Sequence, residues 1–331
     1  MIGYLKANFK IKDKLFAHLE TSRPYTVIWC GLVSLAGSCL VFGQFPPLKI
    51  SILVFIIPIM GWTAGLYLSD FLDRKLDEIE KPHRPIPSKR ISPKEALVTG
   101  GIYAILGGIL SLYLSVNNFL LVFVVAFLVF GYSKFSKSQG IVGNINRGLV
   151  TVIAFIFGVF SKNQLILTVP IYIWLFALVF IFHDTNSNLI GAIRDVQGDK
   201  KGEYKTIPVK YGIKKSVLIS LILTIIWLLL VLFLPYYYKF LKLDFYYIMI
   251  IDIVILILLY IYLFRTIKRY TRRRALRFHE FFIIERITLA SAIIFGIANF
   301  HIALIIYIIA LIITIIAQLT LRARYEFEAI N

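Results

Sequence analysis

Residues 48–92 read LKISILVFIIPIMGWTAGLYLSDFLDRKLDEIEKPHRPIPSKRIS. From 48 to 69 the stretch is almost wholly apolar, with Lys49 as its one charge. A run of about twenty such residues is long enough to cross the hydrocarbon core as a helix. The segment from Asp70 to Glu80 then holds five acids. Asp70, Asp73 and Asp77 are spaced three and four apart, which places them on one face if the helix continues. A carboxylate row therefore begins where a membrane span ends.

Long apolar runs recur along the chain. Of 331 residues, 59% are hydrophobic and 16% charged, against roughly 25% charged in a soluble domain. Spans are expected at 25–43, 48–69, 96–116, 118–131, 147–162, 164–185, 214–235, 245–265, 282–298 and 302–320. These runs are continuous rather than alternating in polarity, which excludes a barrel. The fold class is an all-α polytopic membrane protein. Only Asn299, Phe300 and His301 separate the last two runs, so nine spans compete with ten.

The loops after spans two, four, six and eight are basic, and the opposite set is short and poor in cations. By the positive-inside rule both termini and the four long loops face the cytoplasm, and the expected location is the cell membrane. The same rule accounts for the net charge of +18 without invoking nucleic acid. The expected organisation is a cytoplasmic segment 1–24, one transmembrane domain 25–320 in contact with membrane lipids, and a cytoplasmic tail 321–331. No cleavable signal is expected in 1–24, and part of it suits an amphipathic helix on the membrane surface. Cys30 and Cys39 both fall in the first run and read as small packing residues.

A second acidic window opens at the end of span six. Asp184, Asn188, Asp195 and Asp199 fall at steps of four, seven and four, again one helical stripe. The two windows hold nine of the chain's eighteen acids. Acids contribute little to topology, and an ionised carboxylate near hydrocarbon costs about 2.5 kcal/mol or more. Hard oxygen ligands suit Mg²⁺, which takes one or two carboxylates per ion and completes its shell with water and substrate phosphates. Two rows around one diphosphate would hold two or three ions, which neutralise the leaving group. The bland alternative pairs the acids with neighbouring Lys and Arg on solvated helix ends. A divalent-cation transporter is a further alternative; it wants acids deep in the spans, where only Asp252 lies.

SDFLDRKLD (69–77) and EKPHRPIPSKRIS (80–92) resemble the first aspartate-rich motif, and the loop after it, of the UbiA superfamily of intramembrane aromatic and lipid prenyltransferases. RDVQGDKKGEYKTIPVKYG (194–212) resembles the second motif, and GYSKFSKSQGIVGN (131–144) the segment linking the two. Arg23-Pro24 is similar to the pair before that family's first helix. The resemblance implies a UbiA-like bundle of nine to ten helices around a central cavity. It implies Mg²⁺-dependent transfer of an isoprenyl group from a prenyl diphosphate to an acceptor, either aromatic (hydroxybenzoate- or quinone-precursor-like) or a glycerol lipid. Asp73, Asp77, Asp195 and Asp199 are the implied metal ligands, with Asp70 beside them in the catalytic set. Arg23, Arg84, Lys137 and Asn144 are the implied diphosphate ligands, with Lys200 and Arg90 behind them. An intramembrane terpene cyclase using the same ionisation stays open. Two positions depart from the family pattern. Ser69 stands where asparagine leads the first motif, and Ala192 where the second often carries a third acid, for which Asn188 is the candidate substitute.

The prolines at 82, 85 and 87 stiffen the intervening loop, which suits a lid that excludes water. Trp62 and Tyr67 are candidate cation–π partners for an allylic cation, with packing as the simpler role. Asp70, His83 and His183 are candidates for the base that a phenolic acceptor needs. Gly61, Gly65, Gly107 and Gly108 either let helices approach closely, the simpler reading, or leave room for the isoprenoid tail.

Overall fold

A computed structural model of the chain describes residues 2–163 and 165–326. These form thirteen α-helices joined by short turns, without a strand among the described residues. α1 (Ile2–Ser22) precedes the bundle. Five helices follow in its first part: α2 (Pro24–Phe42), α3 (Leu48–Glu80), α4 (Pro93–Leu114), α5 (Val116–Gly131) and α6 (Ile141–Val159). α7 (Ile171–Lys201) leads through short α8 (Ile207–Tyr211) to α9 (Ile213–Tyr238) and α10 (Leu243–Thr266). α11 (Arg272–Phe295), α12 (Phe300–Ala317) and α13 (Ala323–Glu326) are the last described helices. Residues 327–331 of the expected tail lie outside the described residues.

Nine of the described helices are long and apolar enough to cross a membrane: α2 to α7, α9, α10 and α12. The remaining expected span, 282–298, corresponds to the second half of α11. Glu285 and Arg286 deny it the composition of a lipid-facing helix. It has no need of one, because α11 packs against α2, α7, α10 and α12, and from Phe282 to Phe295 every residue but Ile284 is buried. Leucines, isoleucines and phenylalanines of α4, α5, α9, α10 and α12 stay exposed on the outside of the bundle, as an environment of lipid tails permits.

Local chemistry sets the helix starts. Ser92 accepts a hydrogen bond from the Glu95 amide at 3.1 Å and precedes Pro93, so α4 begins with a side-chain cap and a ready-made φ. Ser115 caps α5 in the same way through the Asn118 amide. Where α2 crosses α6, a Cβ on Gly158 would lie 1.8 Å from the Ser34 carbonyl oxygen, and one on Gly37 would lie 2.3 Å from that of Phe155. These two glycines set the closest crossing. The four glycines singled out from the sequence behave otherwise. Gly61, Gly65, Gly107 and Gly108 all line one apolar cavity, and Gly61 and Gly108 have nothing within 4 Å of the position a Cβ would take. Gly61 and Gly108 therefore leave space, whereas Gly65, whose Cβ would lie 3.0 Å from a Val129 methyl, and Gly107, whose Cβ would lie 3.7 Å from the Met60 Cβ, also let helices approach.

α3 and α7 are the longest helices, at 33 and 31 residues. At 1.5 Å per residue they reach about 50 and 46 Å, well beyond a hydrocarbon core of about 30 Å. Both overhangs lie at the same end of the bundle, and both carry the aspartates. α1 docks there too. Its buried Glu20 receives both Arg90 Nη groups, at 3.0 and 2.7 Å, while Leu15, Phe16 and Leu19 remain exposed.

Candidate active site

At the overhanging end a polar cavity of about 410 Å³ opens between α3 and α7. α3 contributes Ser69, Asp70, Asp73 and Asp77, and α7 contributes Asn188, Asp195 and Asp199. Arg23 enters from the start of α2, Arg84 from the loop after α3, Lys137 from the turn after α5, and Asn144 from α6. One hollow thus collects both aspartate rows and the cations expected beside them. Lys200 and Arg90 are the exceptions: Lys200 is exposed and does not line the cavity, which takes Lys201 instead, paired with Glu80 at 3.0 Å. Arg90 is engaged with Glu20 outside the cavity.

Each aspartate but one is tied to a basic partner. Asp70 accepts from Arg23 and from the Tyr325 hydroxyl. Asp77 accepts from Arg84 at 2.8 Å, Asp73 from Lys137 at 2.5 Å, and Asp195 from Arg194 at 2.5 Å. Asp199 instead accepts from the Thr206 hydroxyl at 3.1 Å, from the loop that follows its helix. Burial opposes charge on Arg23 and Lys137, but Asp70 and Asp73 outweigh it and raise both above their ordinary values. Lys81 goes the other way: burial and the nearby Arg84 lower it, despite Asp195 at 3.9 Å.

The backbone is strained where it delivers Arg23. That residue sits in the left-handed region, φ 46° and ψ 63°, immediately before Pro24, a conformation that non-glycine residues adopt at a cost. The loop 81–92 is held by its own turns and by burial of Ile86 and Ile91. Ser69 pairs with Ser133 at 3.0 Å, and Asn188 donates to the Tyr132 hydroxyl at 3.2 Å.

No three His, Cys, Asp or Glu side chains among the described residues converge to hold an ion by themselves. Mg²⁺ does not require that. One or two carboxylates per ion suffice when phosphate oxygens and water complete the shell. Asp73 with Asp77, and Asp195 with Asp199, offer two such pairs of hard oxygen donors on the walls of one cavity, so the donor set fits.

A second cavity of about 390 Å³ is apolar. It runs among α3, α4, α5 and α6 and shares Trp62, Leu66, Ser69, Tyr132 and Arg147 with the polar one. The Arg147 guanidinium lies 4.0 Å from the Trp62 ring and makes no ion pair among the described residues. A polar hollow fit for a diphosphate thus meets a greasy one fit for a hydrocarbon tail.

The model of the UbiA prenyltransferase family matches residues 28–286. The chain belongs to that family. Digeranylgeranylglyceryl phosphate synthase of Pyrococcus horikoshii is 30% identical over 204 residues, 62% of this chain and 72% of that protein. A solved structure concerned with digeranylgeranylglyceryl phosphate synthase in membranes is 25% identical, with a TM-score of 0.64, covering 86% of this chain and 98% of its own. The UbiA homologue of Archaeoglobus fulgidus, solved with DMAPP and Mg²⁺, superposes with a TM-score of 0.56 at 17% identity, over 92% of this chain and 99% of its own.

This UbiA-family member is a prenyltransferase and an integral membrane protein. Several residues of its cavity were not singled out from the sequence: Arg147, Arg194, Arg272, Arg286 and Glu326. Glu285 and Arg286 carried a signal, as charges inside an apolar run. Glu326, near the end of the chain, carried none. Of the candidate bases, His183 is buried, bonded to Glu285 at 3.0 Å and outside the cavity lining. His83 is not a free loop histidine; its Nε2 meets the Tyr325 carbonyl at 3.1 Å. Tyr67 is buried against His18 at 2.7 Å rather than in either cavity.

Proposed function

We propose that the chain transfers an isoprenyl group from its diphosphate to a glycerol-phosphate lipid, with the aspartate end on the cytoplasmic side of the cell membrane. The observation that carries this reading is the junction of the two cavities at Trp62, Leu66, Ser69, Tyr132 and Arg147. A prenyl diphosphate has the same division: a charged head beside a tail whose methylenes each gain about 0.8 kcal/mol on burial. Arg23, Arg84, Lys137 and Asn144 bind the head in this reading. Asp73, Asp77, Asp195 and Asp199 would hold Mg²⁺, which neutralises charge on the departing diphosphate. The bond from C1 to the diphosphate oxygen breaks, the acceptor hydroxyl oxygen bonds C1, and its proton leaves. Asp70 is a poor base for that proton, since Arg23 and Tyr325 already occupy its oxygens. The Arg147 guanidinium lies over both junction rings, 4.0 Å from the Trp62 centroid and 5.6 Å from that of Tyr132, so both aromatic groups already face a cation there.

An acceptor bearing phosphate is supported by Arg147, a cation at the junction that makes no ion pair among the described residues, and by the activity that the relatives' names carry. The test uses purified protein in lipid nanodiscs with Mg²⁺, prenyl diphosphates of several lengths, and two acceptors, a prenylglyceryl phosphate and hydroxybenzoate. Mass spectrometry is expected to find a doubly prenylated glycerol lipid. Prenylated hydroxybenzoate alone would contradict the acceptor assignment, and a cyclic hydrocarbon formed without acceptor would favour the cyclase.

A further inference from the structure

The last described residues enter the site. α12 returns the backbone to the aspartate end, and a turn at Gln318–Arg322 leads into α13, beyond the residues that the family model matches. Several contacts pin this segment. Arg324 Nε meets Glu20 at 3.1 Å, and His83 meets the Tyr325 carbonyl at 3.1 Å. The Glu326 carboxylate takes Arg194 at 3.3 Å and Arg272 at 3.1 Å. Burial alone would raise the Glu326 carboxyl, but Arg194 and Lys81 outweigh it and hold it at about 2.

Tyr325 is the point of the insertion. It is 1% exposed, and its hydroxyl donates to both oxygens of Asp70 at 2.9 Å. The guanidinium groups of Arg23 and Arg84 both stack on its ring, each 4.2 Å from the centroid. These two cations repel each other, and the shared aromatic ring stabilises both. The Nε atoms of both arginines are buried and lack a hydrogen-bond partner among the described residues. Two charged groups are thus fixed in place on the wall of the cavity that also holds both aspartate rows.

We propose that Tyr325 is a positioning residue for the donor diphosphate, holding the guanidinium groups of Arg23 and Arg84 at the spacing at which they meet it. This rests on the prenyl-diphosphate reading above. The ring supplies the spacing, and the hydroxyl only secures Asp70, so the two parts of the side chain separate experimentally.

The full chain in nanodiscs is compared as wild type, Tyr325→Leu and Tyr325→Phe. Titration calorimetry follows inorganic pyrophosphate with Mg²⁺, and kinetics give KM and kcat for a prenyl diphosphate. Tyr325→Leu is expected to weaken pyrophosphate binding and raise the donor KM by about 10-fold or more, with kcat changed far less. Tyr325→Phe is expected to restore both. If the leucine variant fails to fold, His83→Ala, which removes an anchor of the same residue, must still weaken pyrophosphate binding. A leucine variant that binds pyrophosphate as well as wild type, or better, would overturn the proposal, the latter by making the segment a plug. Pyrophosphate binding that follows the Leu and Phe pattern without any prenyl transfer would overturn the functional reading and leave the proposal standing. A wild type that binds no pyrophosphate would overturn both.

Discussion

Asp184 and Glu95 mark two extremes of what a carboxylate contributes at this membrane's edge. Asp184 is 1% exposed and accepts from Arg286 at 2.8 Å and from Thr151 at 2.7 Å. Glu95 pairs with Lys14 at 2.8 Å, but the lysine side chain is 53% exposed. Water screens the second pair, and its removal should cost no more than about 1 kcal/mol. The first pair has no water to fall back on. Arg286→Met leaves a buried unpaired charge and is expected to destabilise the protein by about 3–5 kcal/mol, read as a lowered unfolding temperature in detergent. Adding Asp184→Asn to that variant should recover part of the loss; no recovery would mean that Arg286 matters by packing against Trp29 rather than by charge. At this scale the aspartates were legible in the sequence, because residue type and period state their chemistry directly. Tyr325 was not, since nothing near it in sequence names Asp70, Arg23 or Arg84 as its neighbours.

Small residues in a span mean two different things, and the helices separate them. Gly158 has a backbone oxygen where its Cβ would go, 1.8 Å away. Gly61 has open space and faces the apolar cavity. Gly158→Ala must push α2 and α6 apart and should cost about 1–3 kcal/mol or more. Gly61→Leu should leave stability unchanged and shift the preferred donor toward shorter prenyl diphosphates, measured by competition between chain lengths. Equal behaviour of the two variants in unfolding would contradict this division. The sequence could not make it, because a crossing and a cavity both ask for a missing side chain. It could place the acids, because helices as long as α3 and α7 must leave the hydrocarbon, and their carboxylates stand on the part that does.

On the scale of the whole molecule, the alternation of basic and cation-poor loops brings every long loop, and both rows of aspartate, to one end. The expected count of nine to ten helices resolves through α11, whose charged first half forms part of the site and whose second half is walled in by its neighbours. α12 then carries the last described residues back to that same end. The division into a polar and an apolar hollow makes sense of the composition: the charge is spent where a diphosphate would sit, and the rest is left to lipid. The most direct test of this account is Mg²⁺-dependent release of diphosphate from a prenyl diphosphate by purified wild type, Asp73→Asn and Asp195→Asn. Removing one member of a group that stabilises developing charge typically lowers kcat on the order of 10²–10³-fold, and a loss of that size is predicted for each variant. Wild-type rates in both variants would contradict the account.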